Sequence, residues 1–383
     1  MEIGLVIHGP EIVDSGQAKK IIEILSAKGT VTSMIAGTMG KTAVIDAHLE
    51  NTIDINRNLK PSECIEECID TDDVIYLLNH GKNLETGIAF AGMVISHLKR
   101  KDEKPIVHIE RPGSPDGAVI PWNELAKKYA NAIANELGLS IILASEQEKE
   151  ILLESEGELV VRHLTGVQPG EKILVNGIVV GSATSFEVSI ITENGYITQI
   201  KGGTLKEHGV EKLHNYEHLV PIDLKSAWVK SGRLRSDNFK ARTLKTCELS
   251  ALANKENRIN RRGIRAVIVD HAAEKVFDIV PGADIAVTVG DDTTILAADI
   301  LYRLGIPIIG ITDGDSDGVS HRTHIFPGST ILRLIPDSDD VIGRKILINL
   351  FMNKKNMNFA SQDELKDMII KQAVGAIKYI KEY

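Results

Sequence analysis

Residues 285–318, IAVTVGDDTTILAADILYRLGIPIIGITDGDSDG, decide how this chain folds. The apolar, β-branched run Ile285–Val289 reads as a strand that ends in the turn Gly290-Asp291-Asp292-Thr293-Thr294. A second strand, Ile306–Thr312, ends in Asp313-Gly314-Asp315-Ser316-Asp317-Gly318. Parallel strands joined by one crossover helix bring both acidic turns to the carboxyl edge of the sheet, where open α/β sheets bind ligands. Five carboxylates converging there repel one another and raise each other's pKa unless a cation sits between them. The spacing also opens a calcium loop, but His324 stands at the twelfth position where a bidentate glutamate is required. Magnesium held by Asp313, Asp315 and Asp317 together with a substrate phosphate is the sharper expectation. Asp291 and Asp292 then assist the metal or act as base, while Gly290, Thr293 and Thr294 touch phosphate. A solvated acidic loop with glycines for turning is the plain alternative.

Working outward, the first 155 residues alternate apolar strands with amphipathic helices. The strands are Ile3–His8, Thr30–Ala36, Val74–Asn79, Pro105–Glu110 and Ser140–Ala144, with helices such as Gln17–Lys28 and Asn123–Leu137 between them. Continuous apolar strands of this kind imply a parallel sheet covered on both faces. Residues 156–232 differ: Lys172–Val180, Ser185–Ile191 and Tyr196–Lys201 are punctuated by Asn176-Gly177, Asn194-Gly195 and Gly202-Gly203, a hairpin pattern. The expected organisation is a Rossmann-like α/β domain (1–155), a small antiparallel β-rich domain (156–232) and a second Rossmann-like α/β domain (233–383). The last ends in a helix over Gln362–Lys381, capped by Ser361 and Glu364, with Leu365, Ile369, Ala373, Ile377 and Ile380 as its apolar stripe. That stripe packs into the core or against a second copy of the chain.

Composition narrows the function classes. The 383 residues carry 44 Lys+Arg against 53 Asp+Glu, net −9, which argues against a whole-surface grip on nucleic acid. Three cysteines make no disulfide framework, and Cys64 and Cys68 lack further zinc ligands nearby, so buried apolar cysteines are expected. The chain opens on a strand rather than a secretory signal, and its charge-free apolar runs are too short to span a bilayer. The expectation is a cytoplasmic protein with no membrane partner. One segment breaks the acidic balance: Lys225 to Arg265 holds 12 Lys/Arg and 3 Asp/Glu, net +9. It suits a polyanion, with Arg261 and Arg262 as contacts, or else an intramolecular acidic partner.

The N-terminal domain has its own strand-end candidates. Gly37, Thr38, Gly40, Lys41 and Thr42 follow a strand and precede a helix, the context of a nucleotide phosphate loop or of an ordinary glycine-rich turn. His8-Gly9, Asn79-His80-Gly81-Lys82 and Glu110-Arg111 end three strands of one sheet, and polar groups converging on one edge form a ligand cleft.

These motifs carry several resemblances. Asp313 to Gly318 with Arg322-Thr323 resembles the acidic Mg²⁺ motif of the Toprim domain of type II topoisomerases, with Val289 where that family has a glutamate. Gly290-Asp291-Asp292-Thr293 resembles the glycine-rich turn of the NAD-kinase and diacylglycerol-kinase superfamily, and Gly37 to Thr42 the ATP loop of Mur-type ligases. Over most of its length, the chain resembles a family of uncharacterised archaeal, methanogen-type proteins. That likeness is carried by His8-Gly9-Pro10-Glu11, Ala36 to Thr42, Glu110-Arg111-Pro112-Gly113 and the two acidic turns. Three functions stay open: a Mg²⁺-dependent phosphotransferase or nucleotide-processing enzyme using ATP or another nucleotide, a Toprim-like nucleic-acid protein, and a non-catalytic nucleotide or metabolite sensor.

Overall fold

A computed structural model describes residues 1–143, 153–176, 178–215, 219–232, 235, 240–244, 263–270, 272–314 and 324–383. The chain forms two compact units, residues 1–34 with 59–236 and residues 35–58 with 237–383.

The first sheet contains β1 (Glu2–His8), β2 (Thr30–Ala36), β3 (Ile53–Asp54), β4 (Val74–Asn79), β5 (Ile106–Glu110), β6 (Ala118–Pro121) and β7 (Ser140–Ile141), in the order β3-β2-β1-β4-β5-β6-β7. β1, β4 and β5 run parallel, their registers placing His8 beside Asn79 and Asn79 beside Glu110. These strands are buried almost throughout, which is why they read as continuous apolar runs. The sheet is not wholly parallel, since β6 returns antiparallel to β5. The helices are α1 (Glu11–Asp14), α2 (Gln17–Ser26), α3 (Thr38–Asp46), α4 (Pro61–Thr71), α5 (Leu84–Ser96) and α6 (Lys127–Leu137). Ala18, Ile21, Ile22 and Leu25 give α2 one buried face at helical spacing. Asn83 caps α5, its Oδ1 accepting from the Thr86 amide at 2.9 Å. Cys64 and Cys68 are buried on α4, against β1.

The β-rich segment forms two four-stranded antiparallel sheets around one core that includes Ile173, Val175, Val180, Ile190 and Ile200. One has the order β14-β11-β10-β15, with β10 (Lys172–Val175), β11 (Ile178–Ala183), β14 (Gly203–Leu205) and β15 (Val229–Gly232). The other has the order β13-β12-β9-β8, with β8 (Leu153–Glu156), β9 (Leu159–Leu164), β12 (Val188–Glu193) and β13 (Tyr196–Lys201). The run expected at Lys172–Val180 is two strands reversing at Asn176.

In the second unit the sheet order is β20-β16-β17-β18-β19-β21. Its strands are β16 (Ile264–Asp270), β17 (Ile285–Val289), β18 (Ile308–Thr312), β19 (Thr330–Leu334), β20 (Asn356–Phe359) and β21 (Ile377–Glu382). β16 to β19 are parallel, and the edges β20 and β21 are antiparallel. α7 (Glu207–Leu213) lies in the β-rich segment, and α8 (Val276–Ile279), α9 (Asp291–Arg303), α10 (Asp339–Asn349) and α11 (Gln362–Gln372) follow. Ile342 and Ile346 of α10 and Leu365 and Ile369 of α11 close a core over Val287, Val289, Ile309, Ile311 and Leu332.

The terminal helix is shorter than expected. Ser361 caps it through the Glu364 amide at 3.1 Å, but it ends at Gln372. Gly375 takes φ +85°, and Ile377–Glu382 becomes an edge strand on β19. Leu365, Ile369 and Ala373 stay in the core, while Ile377 and Ile380 belong to the strand. Backbone pairing with β19 supplies there what a helical face would not.

Residues 35–58 are held in the second unit by a buried ion pair. Arg303 donates to both Asp46 oxygens, at 2.9 and 2.8 Å, with the two side chains 4% and 5% exposed. Arg303 also reaches Asp299 Oδ2 at 2.7 Å, and the Arg242 amide meets Asp46 Oδ1 at 3.0 Å. Removing one partner strands a buried charge. Arg303→Met is expected to cost about 3–5 kcal/mol in urea unfolding of this unit, with Asp46→Leu in that background recovering part of the loss.

Candidate functional site

Three successive parallel strands of the second unit deliver acidic residues to one edge. β17 passes into α9 through Gly290, whose φ +96° and ψ +144° only glycine adopts readily, so the helix starts at Asp291 directly off the strand. Gly37 repeats this geometry between β2 and α3, at φ +93° and ψ +138°. β18 ends at Thr312, followed by Asp313. β19 ends at Leu334, and Asp339 opens α10. Asp291, Asp313 and Asp339 each offer a carboxylate oxygen within 4.8 Å of the others, the first two buried and the third half-buried.

Asp291 organises this edge. Its Oδ2 accepts from the amides of Asp313 at 3.1 Å and Gly314 at 2.9 Å, and its Oδ1 accepts from Arg333 Nη1 at 2.7 Å. The Gly290 amide donates to Ile311 O at 3.0 Å, so both turns are fastened to each other. Three hydrogen bonds thus converge on the Asp291 carboxylate. Oxygens facing one another across a hard divalent ion lie about 4–5 Å apart, which suits this spacing.

The other expected residues have separate positions. Asp292, beside Asp291 in the first turn of α9, does not belong to the three-carboxylate group. Thr294 is buried, with its hydroxyl 2.9 Å from that of Thr288, and Thr293 is buried in the same helical turn. Asp315 and Asp317 lie outside the described residues, as do Arg261 and Arg262.

At the N-terminal glycine turn, α3 starts at Thr38, so Gly40, Lys41 and Thr42 are helical and buried. Lys41 Nζ donates to Asn58 Oδ1 at 2.5 Å and sits 5.0 Å from the Phe277 ring centre; Thr42 Oγ1 donates to Met39 O at 2.7 Å. The basic segment has internal partners: Arg235 pairs with Asp14, and Arg242 with Glu50. Arg265 lines a cavity of about 320 Å³ with Lys275, Lys355 and Asp278.

Sequence reading missed Asp339 and Arg333. The acidic run Asp337-Ser338-Asp339-Asp340 after a strand was the available signal for the first. Arg333 lies within a strand and carries no motif.

These features define a mixed α/β protein with parallel-strand sheets and a carboxylate cluster at the strand ends of its second unit. The chain belongs to an archaeal family: the model described as an uncharacterized protein conserved in archaea (DUF2117) matches residues 5–354. It is similar to Uncharacterized protein MJ0065 of the methanogen Methanocaldococcus jannaschii, 42% identical over 372 residues and covering 96% of each chain. No solved structure matches it. Among the described residues, no helix is long and apolar enough to cross a membrane.

If Asp291 fastens the two turns, Asp291→Ala leaves two amides and a guanidinium without their acceptor. That change is expected to cost about 3 kcal/mol in denaturant unfolding, and Asp291→Asn, which keeps an acceptor oxygen, less than half as much.

Proposed function

We propose that the second unit binds a divalent cation, Mg²⁺ by its hard oxygen ligands, together with a phosphate-bearing ligand at the carboxyl edge of its sheet. The chain then acts as a phosphotransferase or nucleotide-processing enzyme. The observation that carries this reading is the approach of Asp291, Asp313 and Asp339 to within 4.8 Å of one another. Three carboxylates this close together make a local negative potential that a cation offsets. Asp313 and Asp339 are the proposed metal ligands, and Asp291 holds the turns in position. Arg333 keeps further guanidinium donors for a phosphate oxygen beside the metal, an arrangement suited to phosphoryl chemistry, which is mostly positioning and electrostatics. The internal pairing of Arg235 and Arg242 withdraws two cations from the nucleic-acid reading.

Calorimetric titration of Mg²⁺ and ATP, separately and together, tests the proposal. Wild type is expected to bind Mg²⁺, to bind ATP more tightly in its presence, and to lose at least tenfold in Mg²⁺ affinity on Asp313→Asn or Asp339→Asn. Mg²⁺ binding that is absent, or indifferent to both substitutions, would sink it. Metal-coupled ATP binding without turnover would identify a sensor instead of an enzyme.

A further inference from the structure

A second polar row lies in the other unit, at the ends of β1, β4 and β5. Chain direction reverses here. From β1 the chain moves outward to β2, and from β4 it moves the opposite way to β5. Such a switch point opens a crevice between the two strand ends, and His8 and Asn79 stand on its two sides.

The row is fixed from its buried end. Glu110, fully buried, accepts from Asn79 Nδ2 at 2.7 Å, His108 Nε2 at 2.9 Å and the Gly81 amide at 2.5 Å. Burial would raise its pKa, but these donors, His108 foremost, outweigh that and hold the carboxyl below its usual range. A carboxylate only accepts, so Asn79 must turn its amide nitrogen toward Glu110 and its oxygen toward His8. His8 Nδ1 therefore donates to Asn79 Oδ1 at 3.1 Å, and the ring stacks on Phe90 at 4.1 Å. Burial holds His8 neutral by lowering its pKa to about 4. The neutral ring's Nε2 is then a bare acceptor, with no hydrogen-bond partner among the described residues.

Three groups around this point have one property in common. His8, Glu11 and Lys230 are all reached by solvent, yet protein encloses each enough to disfavour its charged form. The charge of Lys230 is felt at His8, and that of Glu11 and Lys82 at Lys230. Lys230 lies on β15 with its ammonium 5.1 Å from the Trp228 ring centre, and it forms no ion pair among the described residues. Lys82, at the end of β4, is engaged by Glu171 and by Ser231 Oγ at 2.8 Å, which ties β15 to this edge.

We propose that this crevice binds a small organic anion, a phosphate or carboxylate, whose charge Lys230 meets and whose adjoining hydroxyl donates to His8 Nε2. Glu110 and Asn79 act as positioning residues that fix the His8 tautomer. The site uses no metal and does not depend on the acidic edge of the second unit.

The test titrates inorganic phosphate and, separately, glycolate into the full chain in metal-free buffer, read by calorimetry and by imidazole NMR of ¹⁵N-labelled protein. Each probe carries an anionic group and a hydroxyl, so the two arms distinguish a phosphate ligand from a carboxylate one. The Nδ1–H tautomer of His8 is expected at pH 7, with its pKa raised by whichever anion binds. Lys230→Met should weaken that anion at least tenfold and Lys230→Arg should restore most of it, while Asp313→Asn leaves it unchanged. Glu110→Gln should disturb the His8 tautomer. The proposal is overturned if neither anion moves the His8 resonances, or if the binding one holds Lys230→Met as tightly as wild type.

Discussion

Hydrogen bonding to one carboxylate, that of Asp291, organises the strand-end edge of the second unit. The helix α9 begins with this residue because Gly290 turns the chain directly off β17. Its two oxygens then accept from the amides of the neighbouring strand-end turn and from Arg333 one strand further on. One member of the acidic cluster, Asp291, thus has a structural part in holding the two turns together.

Both units obey the same constraint. Parallel strands buried on both faces favour apolar side chains along their length, so polar groups gather mostly where the strands end. The electrostatic outcome differs. In the second unit three carboxylates converge, one of them bonded to Arg333. In the first unit the buried carboxylate of Glu110 is satisfied by three donors. Its effect passes through Asn79 to His8, and the neighbouring lysine favours an anion. The basic segment, which looks from composition like a surface for polyanions, spends Arg235 and Arg242 on acidic partners inside the chain.

Much of this was legible in the amino-acid order. Strands such as Val74–Asn79 and Ile285–Val289 are bounded as their apolar runs suggest, because burial on both faces favours uninterrupted apolar residues. The Asn194-Gly195 hairpin follows from turn chemistry, and the burial of Cys64 and Cys68 from their helical spacing. The end of the chain was not legible. Its apolar residues fit a helical stripe through Ile380, but the free edge of β19 offered backbone partners that no local pattern contains. The glycine turn at Gly37 was readable as a strand-to-helix junction. The engagement of Lys41 by Asn58 and the Phe277 ring was not, since Phe277 is distant in sequence.

By itself the sequence determined the alternation of strands and helices, the turns that separate them, and the fact that Asp291 and Asp313 share an edge. Those properties depend on side-chain periodicity and on the handedness of a single crossover, both local. Only the tertiary structure decided that Asp339 completes the carboxylate group, that Arg333 neutralises Asp291, and that Glu110 sets the His8 tautomer through Asn79. Each depends on side chains from different strands meeting at hydrogen-bond distance, which sheet order and register fix and no stretch of sequence encodes alone.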